Sequence, residues 1–117
     1  IASLDMSKIT ELSAKTVYEN MLTDMRSRTS AAYARQGMQY YSAAQYEAAC
    51  YPLEKAYKYA PEDPEIIYPL ARVYHHLGDL AKAKELYEIL VAKHPDSNRS
   101  QEAATYLGYV NDALGVQ

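Results

Sequence analysis

Residues 64–97, PEIIYPLARVYHHLGDLAKAKELYEILVAKHPDS, decide the fold. Slid back by 34 places, they fall on residues 30–63, SAAYARQGMQYYSAAQYEAACYPLEKAYKYAPED. Tyr74 lands on Tyr40, Ala83 on Ala49 and Pro95 on Pro61. Ile67 meets Tyr33, Ala71 meets Gly37, Leu80 meets Tyr46, Tyr87 meets Leu53 and Leu90 meets Ala56, so size and polarity class are kept at each place. Self-similarity at a fixed period of this length means that one supersecondary unit is stacked on the next.

The spacing within each unit gives its shape. Tyr33, Gly37 and Tyr40 recur three or four residues apart, which sets them on one face of a helix, and Ala49, Leu53 and Ala56 do the same for a second. A small residue at Gly37 and Ala71 lets the two helices of a unit approach closely, and Ala49 and Ala83 offer the matching flat surface. Each unit is therefore expected to be an antiparallel helical hairpin. Gly78 and Asp79 form the turn of the second unit, and Ala44 replaces that glycine in the first. Pro61 and Pro95 end the units, because proline cannot continue a helix. Pro64, directly after the candidate cap Asp63, suits a helix start. Pro52 and Pro69 fall inside predicted helices, where each removes a backbone hydrogen bond and is expected to bend its helix.

A third, partial unit begins after Pro95, in register at an offset of 37: Leu107 falls on Leu70, Gly108 on Ala71, Val110 on Val73, Leu114 on Leu77 and Gly115 on Gly78. Its three extra residues lie within 96–100, where Asn98 followed by Gln101 is expected to form a capping box. The domains are read as 1–29, a segment with one helix, and 30–117, with units at about 30–63, 64–97 and 98–117.

The pattern Ile67, Leu70, Ala71, Tyr74, Gly78, Ala83, Tyr87 and Pro95, with Tyr33, Gly37, Tyr40, Ala49, Leu53, Ala56 and Pro61 before it, resembles the tetratricopeptide repeat family over roughly Ser30 to Gly115. Gln36 stands where that family usually has Leu. The resemblance implies an all-α fold of antiparallel helical hairpins stacked as a short right-handed superhelix. It also implies a non-catalytic scaffold whose concave face binds a peptide or protein. The opening at Pro95, Asp96 and Ser97 with a later Leu-Gly is similar to repeats of bacterial envelope proteins of this class. That similarity leans the localisation toward the extracytoplasmic side of a membrane-anchored protein, with the cytoplasm as the alternative.

Residues carried over from the family's groove positions are Ala34, Met38 and Tyr41 in the first unit, Tyr68, Arg72 and His75 in the second, and Thr105, Tyr109 and Asp112 in the third. The partner-binding set is taken as Met38, Tyr41, Tyr68, Arg72, His75, Tyr109 and Asp112; Tyr and Arg are frequent in binding hot spots. Ala34 and Met38 occupy places where some family members carry a Lys and an Asn that clamp a C-terminal carboxylate, so an internal peptide or a folded partner fits better.

Before these repeats, Val17, Met21 and Met25 recur at helical spacing beside Tyr18 and Leu22, predicting a helix over about 13–28. It is expected to pack as a cap on the first repeat. The alternative is that it runs straight into the next helix and projects as a stalk or dimer arm, since nothing breaks the chain before Gly37. A structural or self-associating role is the competing functional reading.

Bulk properties exclude several classes. With 12 Lys and Arg against 15 Asp and Glu, the net charge is -3 and no basic run tracks phosphates, so nucleic acid is a poor partner. No apolar stretch approaches the roughly 20 residues that cross a bilayer, so no direct membrane insertion is expected. The chain opens with Ile1, which leaves room for a longer natural protein carrying a signal or an anchor. Cys50 stands alone and reads as a small buried hydrophobe. All 13 aromatic residues are Tyr, whose hydroxyls seek partners at core edges and groove walls. His75 and His76 are adjacent, about 100° apart on a helix, and cannot chelate one ion together. No catalytic apparatus, metal site or cofactor motif is read from the sequence.

Overall fold

The computed structural model describes the backbone of residues 6–115 and side chains from residue 14 onward. Residues 1–5 and 116–117, at the outer ends of the two expected domains, lie outside the described residues. The described chain is α1 (Met6–Ser42), α2 (Tyr46–Tyr59), α3 (Pro64–Leu77), α4 (Leu80–Lys93) and α5 (Asn98–Leu114), with no strand among the described residues. It is all-α, built of antiparallel hairpins, as the repeat predicts.

Hairpins form because neighbouring helices bury apolar side chains against one another. Ala49, Leu53 and Ala56 of α2 are fully buried, as are Ile67, Ala71 and Val73 of α3 and Ala83, Tyr87 and Leu90 of α4. The close approach needed at Gly37 is real: a Cβ there would sit 2.5 Å from Leu53 Cγ. Ala71 and Tyr87 fill the equivalent places of the second unit and are both fully buried. The third counterpart, Gly108, would meet nothing within 4 Å, because α5 is the last described element and carries no second helix on that side.

The same contacts set the curvature. The backbones of α1 and α3, and of α3 and α5, approach closely, whereas among the described residues those of α2 and α4 do not. The first helices of the units therefore crowd together on the inner, concave side, and the second helices fan apart outside.

Local chemistry fixes the boundaries. Asp63 caps α3, its Oδ1 accepting from the Glu65 N–H at 2.9 Å, with Pro64 at the first helical position. Gly78 takes the left-handed conformation at φ 85°, and Asp79 then caps α4 by accepting from the Lys82 N–H at 3.3 Å. The first unit makes the same turn with Ala44, forced to φ 60°, and Gln45 at the cap makes no side-chain hydrogen bond there. Pro52 and Pro69 lie buried inside α2 and α3, and both helices continue through them.

Two expectations are corrected. The cap of α5 is Ser97, not Asn98: Ser97 Oγ accepts from the Arg99 N–H at 3.2 Å, and Asn98 is already helical. Nor do residues 13–28 fold back as a cap on the first repeat. α1 is one unbroken helix of 37 residues, and every residue from Ala14 to Arg28 is exposed. The chain is drawn out to 72 Å along its long axis against 30 and 21 Å in the others.

Candidate functional site

Arg72 is the centre of the inner face. α3 buries Leu70, Ala71, Val73 and Tyr74 around it, so the remaining faces of this turn carry Arg72, His75 and His76 outward. A guanidinium has only donors, so its contacts assign the histidines. Arg72 Nη1 donates to His75 Nδ1 at 3.3 Å, and Nη2 donates to His76 Nε2 at 3.2 Å. His75 is thereby held as the neutral Nε2–H tautomer and His76 as the Nδ1–H tautomer. The two rings that cannot share a metal ion can bracket a guanidinium, because its two terminal nitrogens are spread apart. Burial and then the Arg72 charge hold both imidazoles below their usual pKa.

Aromatic rings enclose this fork. The Tyr106 ring lies 3.8 Å from the Arg72 guanidinium carbon, a cation–π contact. Tyr46 stacks on His76 with centroids 4.0 Å apart, and Tyr41 meets Tyr46 edge-on at 5.9 Å. The Tyr87 hydroxyl lies 3.3 Å from His75 Nδ1, beside the Arg72 N–H that this nitrogen accepts, and burial pushes the Tyr87 pKa up to about 12. Tyr106 in turn touches Tyr109, its centroid 6.1 Å away, and Tyr68, at 6.5 Å. Among the described residues Arg72 makes no ion pair, although Arg99 pairs with Glu65 and Glu102 nearby. The result is a positively charged centre walled by Tyr and neutral His.

Of the seven residues read from the sequence, this cluster joins Tyr41, Tyr68, Arg72, His75 and Tyr109, through Tyr46, His76, Tyr87 and Tyr106. Tyr68 belongs more to the core than to a groove wall, being 8 % exposed with Arg99 over its ring at 5.0 Å. Met38 lines a separate open groove of about 620 Å³ between α1 and the start of α3, with Ala34, Arg35, Asp63, Glu65 and Ile66. Asp112 is exposed on the last turns of α5, outside both.

Tyr46, His76 and Tyr106 were not read as site residues. Tyr106 sits next to Thr105, the position carried over from the family, and the three-residue insertion before α5 makes a one-residue error of phase easy. Its spacing of three from Tyr109 was the available signal. Cys50 is half-buried, its thiol 3.5 Å from Glu54 Oε1, and burial followed by the Glu54 charge pushes its pKa up to about 11. It is a poor nucleophile. Among the described residues, no group of three His, Cys, Asp or Glu side chains is placed to hold a metal ion, and no helix is long and apolar enough to cross a membrane.

A family model described as tetratricopeptide repeat matches residues 40–107, more than half of the chain. No curated protein matches it.

Proposed function

Since the chain belongs to the tetratricopeptide repeat family, whose members are generally protein–protein interaction modules, we propose that it is a non-catalytic scaffold holding a peptide or protein segment against its concave face. One observation carries this reading. Arg72, at the middle of the inner helices, has aromatic and neutral imidazole neighbours but no carboxylate partner among the described residues. An arginine held by packing and surrounded by tyrosines is the composition of an interaction hot spot: little side-chain entropy is left to lose, and the charge remains to be matched. Met38 and the groove beside it extend the same face toward the amino end.

The test is capture of partners from cells of the source organism with the parent chain and with an Arg72→Ala, Tyr109→Ala variant. Tyr109 is chosen over Tyr68 because it is 58 % exposed, so its loss leaves the core intact. Partners retained by the parent and lost by the variant, at unchanged helicity, support the reading. Identical proteins on both, or none on the parent, sink it.

A further inference from the structure

The exposed half of α1 carries an apolar stripe that nothing among the described residues covers. Val17, Tyr18, Met21, Leu22 and Met25 are 56, 62, 56, 37 and 59 % exposed. At 100° per residue they fall within an arc of about 140°, with Ala14 and Ala32 on its midline. Ser30 and Gly37, through which α1 buries itself in the first hairpin, lie about 140° around the helix from that midline. The stripe thus faces away from the repeats.

Two costs follow if it stays bare. A contiguous apolar surface of roughly 500 Å² is at the upper end of what a soluble monomer leaves in water. A helix without tertiary packing is also marginal, because most helical stability in proteins comes from burying an apolar face. One occupant removes both.

We infer that α1 pairs with α1 of a second copy of this chain, antiparallel, about a two-fold axis at residue 23. A two-fold interface must be self-complementary, so that if residue i meets j, then j meets i. About residue 23 the middle of the stripe satisfies this: Met21 meets Met25, Tyr18 comes level with Arg28 and Ala14 meets Ala32, each twice, with Val17 and Leu22 at the flanks beside Thr29 and Asp24. The Arg28 guanidinium then lies on a Tyr18 ring, a favourable cation–π geometry. Asp24, 3.0 Å from Arg28 within its own helix, balances the charge. Small alanines at both ends allow close approach. A parallel pair would instead set Arg28 against Arg28. The path beyond Ala32 is open, since Arg35, Gln36 and Gln39 on the same face are exposed. Pairing buries at most about 1,000 Å² over both copies, the size of a weak, reversible interface.

The experiment is the mass of the full chain in solution by light scattering at about 100 µM, above the micromolar Kd expected of a small interface. Two double variants of equal charge change are compared with it: Met21→Glu with Met25→Glu on the stripe, and Asn20→Glu with Thr23→Glu on the opposite side. Thermal unfolding of the repeats checks that the fold survives in each. A dimeric parent, a dimeric opposite-side variant and a monomeric stripe variant, with dissociation strengthened at least tenfold, are expected. A parent mass other than that of two chains, or two variants that behave alike, overturns the inference. A monomeric parent would leave the stripe to a different protein.

Discussion

Gly37 and Gly108 occupy the same place in the first and third units and have opposite prospects. At Gly37 an added methyl runs into Leu53, whose Cγ is 2.5 Å from the Cβ position and whose side chain is fully buried. Gly37→Ala should therefore lower stability by about 1–3 kcal/mol through overpacking. Gly108→Ala meets open space and should raise it by about 0.5–1 kcal/mol, the helix-propensity gain. Paired denaturant titrations check both signs. The histidines give a pH dependence. Their folded pKa values lie below the unfolded value of 6.5, so the unfolded chain takes up protons first. Their contribution is complete above pH 6.5 and is lost as pH falls from there toward the depressed folded values. The thermal midpoint should drop between pH 7 and pH 5, and a His75→Gln, His76→Gln variant should drop less; equal drops would place the acid sensitivity elsewhere. At this scale the packing residues were legible, because period and size class identify them. The polar wiring was not. Tyr87 reads as bulk at a core position, and nothing in its spacing tells that its hydroxyl reaches His75 across the hairpin.

The turns of the two units differ where the sequence differs, and that difference is open to repair. Gly78 and Asp79 supply a left-handed residue and a side-chain cap, whereas Ala44 is held at φ 60° and Gln45 caps nothing with its side chain. Carrying the second turn onto the first, as Ala44→Gly with Gln45→Asp, should stabilise the chain by about 1–2 kcal/mol: relief of left-handed strain, partly offset by glycine's backbone entropy, plus one cap. A higher thermal midpoint with unchanged helicity is expected; a lower one would mean that Gln45 is held by something the cap geometry does not reveal. The four hairpin helices were readable from the repeat, since matching positions keep their size class from one unit to the next. α1 was harder. Its apolar residues over 14–25 and its packing residues over 30–41 lie on different sides of one rod. A periodicity that changes face reads equally well as two helices with a break. The α5 cap failed for a smaller reason, as Ser97 and Asn98 are both good cap residues standing side by side.

For the whole molecule, the crowding of α1, α3 and α5 on one side makes a concave surface out of helices whose individual patterns specify only hairpins. The stacking of hairpins was legible in the repeat; of the second unit's expected groove positions, Arg72 and His75 are partly exposed whereas Tyr68 is buried. What joins these positions into one cluster is contact between units, such as Arg72 with Tyr106, which no single period contains. The unbroken α1 has a further effect on this surface. Because the helix passes through Ser42 without a joint, the azimuth of the outer stripe and that of Met38 are phases of a single screw. Adding one residue after Ser27 would turn the stripe by about 100° relative to the repeats while lengthening the arm by only about 1.5 Å. Adding seven would extend the arm by about 10 Å yet return the phase to within about 20°. Distances between spin labels on Val17 and Tyr109 should follow that screw, so that the arm behaves as a key whose bit is cut at a fixed angle to its bow.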